Sequence, residues 1–65
     1  MMTAEDIRKL RKRLGLTQKE LAARVRVDAI SLSRWERGVQ HPSRQAIRQL
    51  HRLAHKAGID LTSTN

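Results

Sequence analysis

Residues 18–37 read QKELAARVRVDAISLSRWER, and their spacing decides the fold. Leu21 and Val25 stand four apart and share one face of a helix. Leu32 and Trp35 stand three apart and do the same for a second helix. Val27 lies between the two, one residue after Arg26, and Ala22 is small where two crossing helices need a close approach. Two short helices, a tight turn and an inward apolar set describe a helix-turn-helix motif over residues 17–37.

The flanking residues supply starts and stops. Thr17 with Glu20 three residues later forms a capping box at the start of the motif's first helix. Upstream, Thr3 and Asp6 open a helix over Ala4–Leu14. Its apolar stripe is Ile7, Leu10 and Leu14, and Arg8, Lys9, Lys12 and Arg13 face outward as a solvated surface. Gly15 ends that helix as a left-handed residue, and Leu16 tucks back against it. Asp28 caps the motif's second helix, which runs to about Arg37, and Gly38 stops it. Val39-Gln40-His41-Pro42 reads as a loop. Ser43 caps a last helix to about Ala57, with Gly58 behind it. Ala46, Ile47, Leu50, Leu53, Ala54 and Ala57 form its inward stripe. Residues 59–65 are a short tail, where Ile59 and Leu61 cover the core or meet a second subunit. The expected fold is all-α, a compact bundle of four helices, or five if the tail adds one.

Composition narrows the function. Sixty-five residues fit one domain, 1–65, with a small core. There is no cysteine, so no disulfide and no thiolate ligand or nucleophile. No apolar run approaches the roughly 20 residues that span a bilayer, and the N-terminus lacks the apolar stretch of a secretory signal. A soluble, cytoplasmic protein is expected. Fourteen Lys and Arg against six Asp and Glu give a net charge of +8, which calls for a polyanion. Glu5, Asp6, Glu20 and Asp28 all sit where helix N-termini favour anions, leaving the outer surface mainly basic. A membrane surface would want exposed aromatic and aliphatic groups. The one aromatic, Trp35, reads as a core anchor rather than a stacking platform for a flipped base.

Enzymatic chemistry finds no footing. There is no glycine-rich phosphate loop, no Ser–His–acid set and no pair of carboxylates in a plausible cleft. His51 and His55 are four apart, but nothing nearby completes a metal site. No cofactor and no small-molecule ligand is expected. Arg44, Arg48, Arg52 and Lys56 recur every four residues without acidic relief, which reads either as a solvated face or as a surface awaiting a partner.

GLTQKELAARV (15–25) followed by SRWERG (33–38) resembles the lambda-repressor and Cro-like, or XRE-type, helix-turn-helix family, and the resemblance runs from Ile7 to Leu61. It implies a prokaryotic regulator, most often a repressor acting as a homodimer, whose motif's second helix lies in the major groove of double-stranded DNA. Carried onto this chain, Ala29, Ile30, Ser33 and Arg34 are the base-reading positions. Arg34 suits guanine O6 and N7, while Ala29 and Ile30 suit a thymine methyl. Ser33 suits a base edge or a phosphate. For Ile30 the competing expectation is packing between the last two helices. Gln18, Arg37, Gln40 and His41 are the phosphate-contact positions. Asp28, close to phosphates, must be locked as a cap or accept from cytosine N4. The resemblance also pairs Arg11 with Glu36, and a bidentate guanidinium suits a glutamate beside a buried tryptophan. The departure is Arg26, where the family usually has a left-handed glycine; a side chain there costs roughly 1 kcal/mol. A second class of function on the same fold is a protein-interaction module, such as an antitoxin or a phage or plasmid accessory protein.

Overall fold

A computed structural model describes residues 2–59 of the chain, which form four α-helices and no strand. They are α1 (Ala4–Leu14), α2 (Gln18–Arg24), α3 (Ala29–Glu36) and α4 (Arg44–Lys56). Each begins on a side-chain cap. Thr3 and Thr17 close reciprocal capping boxes with Asp6 and Glu20. The Asp28 and Ser43 side chains accept from the backbone N–H groups of Ser31 and Ala46. Four otherwise unpaired donors at each helix start explain why these polar residues fix the boundaries.

The four helices also end alike. Behind α1, the Leu16 N–H donates to the Arg11 carbonyl and the Gly15 N–H to Lys12. The same pair of hydrogen bonds recurs at Gly38–Val39 behind α3 and at Gly58–Ile59 behind α4. Behind α2 it is closed by Val27 donating to Ala22 at 2.9 Å and Arg26 donating to Ala23 at 3.3 Å. This motif needs one left-handed residue. Three of the four are glycines; the fourth is Arg26, at φ 61°. The turn keeps its geometry despite the side chain.

α3 packs against both α2 and α1. Ile7, Leu10, Leu21, Leu32 and Leu50 are fully buried and join Trp35, Val25, Ala22, Ala46 and Ala54 in one core. Truncating any of the large ones would cost about 2–5 kcal/mol, much of what a domain this small possesses. Met2, ahead of the first cap, is also buried and extends this core. The α4 stripe is narrower than its apolar spacing predicts. Ala46, Leu50 and Ala54 are buried, and Ile47 and Leu53 are half-buried. Ala57 is exposed, because α4 ends at Lys56 and Ala57 is its cap. Ile59 packs on the core; Leu61 lies outside the described residues.

Candidate nucleic-acid interface

The exposed face of α3 follows from what its other face must bury. Leu32, Trp35 and Glu36 point inward. Residues 30, 33, 34 and 37 are separated by three and four, so they line the opposite face together. Ile30 is 64% exposed, and Arg34 and Arg37 are exposed, with Ser33 half-buried beside them. An isoleucine this exposed does not pack between α3 and α4, so that expectation is overturned. Ala29 is only partly outward; it is half-buried and packs against the core. Gln40 and His41 are exposed in the loop after α3. Next to them is Val39, 67% exposed, a large apolar side chain that the sequence reading left without a role. Its signal was an apolar residue in an otherwise polar loop.

One buried carboxylate fixes how α3 sits. Glu36 is 3% exposed. Its Oε2 accepts from Arg11 Nε at 2.7 Å, and its Oε1 accepts from Arg11 Nη2 and from Gln18 Nε2, both at 3.1 Å. Arg11 Nη1 also donates to the Leu16 carbonyl at 3.1 Å. One guanidinium thus joins α1, the 15–17 loop and the end of α3. The bidentate geometry and the neutralised charge make a buried glutamate tolerable. Gln18 is half-buried, and one of its amide hydrogens is committed to Glu36. Arg8, expected on a purely solvated face, instead donates through Nη1 to the backbone carbonyl of Glu36. That carbonyl is among the last of α3, where helices lack internal partners. Sequence reasoning missed it because no local pattern ties residue 8 to residue 36.

The remaining acids among the described residues are also engaged. Glu5 lies 3.9 Å from Lys9, and Asp6 and Glu20 complete capping boxes. Asp28 accepts from the Ser31 N–H at 2.7 Å. That backbone bond holds the Asp28 carboxyl below its usual range, with a smaller contribution from Arg34. A charge near the α3 face is therefore locked as a cap. Against these, the exposed Arg34 and Arg37 stand without ion-pair partners among the described residues. The result is a basic, donor-rich face with an apolar spot at Ile30. It can donate to phosphate oxygens and to guanine, and it offers a methyl contact.

Among the described residues, no group of three His, Asp or Glu is placed to hold a metal; His51 is half-buried and His55 exposed. No helix there is long and apolar enough to cross a membrane.

A model of the helix-turn-helix family matches residues 7–54, from α1 through most of α4. No curated protein and no solved structure matches the chain.

Proposed function

The chain belongs to the lambda-repressor-like helix-turn-helix family of DNA-binding domains, and from that premise we propose that it is a sequence-specific transcriptional repressor that reads double-stranded DNA through α3. The observation that carries this reading is the outward row Ile30, Ser33, Arg34 and Arg37, held in place from behind by buried Glu36. Arg34 donates to the O6 and N7 of a guanine in the major groove. Ile30 packs on a thymine methyl, with Ala29 contributing the little surface it leaves outside the core. Ser33 bonds a base edge. Arg37, Gln40 and His41 donate to phosphates and set the register, joined by the second amide hydrogen of Gln18. The net charge of +8 supplies the salt-sensitive attraction to any duplex, on which these contacts build selectivity.

Repression needs no reaction. A bound homodimer covers a promoter and blocks polymerase by volume alone. Selection of bound sequences from random duplex DNA, at near-physiological salt, tests this. The expected result is two inverted half-sites with centres about 10 bp apart. Recovery of one half-site would remove the dimer, and recovery of no motif would remove sequence reading altogether.

A further inference from the structure

The ends of α1 and α2 and the C-terminal half of α4 enclose an open groove of about 460 Å³. Its floor is Leu14 and Leu53, both half-buried, with part of each side chain on the core and part left open. Its rim is Arg24, Gln49, Arg52 and Lys56. The three cations are exposed, and none of the described residues lining the groove is acidic. Among the described residues, ion pairs join only Lys9 to Glu5 and Arg11 to Glu36. Arg24 helps lower the carboxyl of Glu20 by its charge but lies outside ion-pair distance. Arg52 and Lys56 form no ion pair among the described residues. Arg48 continues the row one turn back along α4, at an adjoining hollow it shares with Gln45, Gln49 and Arg52. No residue of α3 or of the loop after it takes part.

We infer that this groove is the docking site of an acidic amphipathic helix from a partner protein. The floor offers two adjacent leucines, which suit apolar residues spaced four apart on one helix face. The cationic row on α4 runs from Arg48, at the adjoining hollow, to Lys56 on the rim, about 12 Å at 1.5 Å per residue, so carboxylates on two successive turns of a partner helix meet it. A second copy of this chain fits badly, since it would bring a second cationic surface to the same rim. A nucleic-acid backbone would satisfy the rim and leave Leu14 and Leu53 uncovered. Because the groove lies off the α3 face, the partner and DNA occupy the domain together.

Amide chemical-shift mapping on the isotope-labelled chain tests the assignment. The probe is a synthetic peptide of about four turns, with leucines four apart flanked by glutamates. A scrambled peptide of the same composition and a short duplex of unrelated sequence serve as comparisons. The expected result is saturable shifts at residues 14, 24 and 49–57, with binding weakened roughly tenfold or more by scrambling and by the double substitution R52E/K56E. Both substituted positions are exposed, and R52Q/K56Q serves if the reversed pair unfolds. Equal binding of the scrambled peptide would reduce the groove to bulk charge and overturn the proposal. So would duplex DNA shifting the same residues, shifts that grow with protein concentration alone, or no saturation by about 1 mM peptide. Loss or retention of operator selection is read separately and leaves this outcome independent.

Discussion

Arg8 donates from α1 to the backbone carbonyl of Glu36, the last residue of α3, across 28 positions of sequence. Three residues on, Arg11 binds the same glutamate's carboxylate. The end of α3 is therefore held twice, once by its main chain and once by its side chain, and both times from α1. A cation at the C-terminus of a helix also complements its dipole. Replacing Arg8 by alanine should destabilise the domain by about 1 kcal/mol, or roughly 4–8 °C in Tm. Arg8→Lys retains the charge but not the planar donor, so it should resemble alanine in the amide-exchange rates of residues 34–38 while leaving the salt dependence of DNA binding unchanged. Unaltered exchange in both variants would show that the bond does not constrain α3.

Arg11 carries a heavier burden than Arg8, because Glu36 is buried. Removing one partner leaves a desolvated charge without compensation, at about 3–5 kcal/mol. In a domain of this size Arg11→Ala should be largely unfolded at room temperature by circular dichroism. Replacing both members by apolar residues, as Arg11→Met with Glu36→Leu, removes the uncompensated charge and should restore a cooperative transition. A double variant no more stable than Arg11→Ala would mean that the pair's geometry, rather than its charge balance, holds the fold.

These contacts mark how far the sequence could be read. Helix starts were legible because caps are local: Thr3, Thr17, Asp28 and Ser43 each sit three residues from the N–H they satisfy. The outward set on α3 was legible because Leu32 and Trp35 orient the helix. Arg8 was not, since its partner is fixed by how α1 crosses α3. Gln18 shows the same limit, for its position was legible but its amide's commitment to Glu36 depends on three elements meeting. Ala57 continued a periodic stripe past the point where the helix stops. Met2 precedes any periodic pattern, so nothing local announces its burial.

Arg26 offers a substitution that should stabilise. At φ 61° a side chain costs about 1–2 kcal/mol, while glycine's extra freedom in the unfolded chain costs about 0.5–1 kcal/mol. Arg26→Gly should therefore gain roughly 0.5–1 kcal/mol, a rise of about 2–8 °C in Tm. A fall in Tm would mean that the Arg26 side chain contributes more than its backbone strain removes.

Acid should weaken the domain through its caps. The Glu20 carboxyl lies below its ordinary 4.5, chiefly because the backbone N–H of Thr17 donates to it. The Asp28 carboxyl lies below its ordinary 3.8, chiefly through Ser31. A carboxyl with a lowered folded value contributes stability above its unfolded value, and that contribution disappears as pH falls through the folded one. Tm should thus decline as pH falls from about 5 toward 2. Glu20→Gln with Asp28→Asn keeps neutral capping groups and removes both titrations, so its profile should be flatter in that range. An equally steep profile would assign the acid sensitivity to other carboxylates.

Arg34 and Arg37 lie three residues apart on one face yet should fail in different ways. Arg34 projects from within α3, where a guanidinium can reach a guanine edge. Arg37 caps the helix, where the loop toward α4 begins. Arg34→Ala should cost about 1–3 kcal/mol at the preferred site and abolish discrimination at one base pair, leaving non-specific binding nearly intact. Arg37→Ala should weaken all duplexes alike and reduce the slope of log K against log salt by about one contact's worth, roughly 0.9. Measuring both affinities over a series of salt concentrations, on the selected site and on its single-base variants, separates the two roles. Should Arg37→Ala change base preference while Arg34→Ala lowers only the salt slope, the roles of the two residues are reversed, and the major groove is entered further along α3 than Arg34.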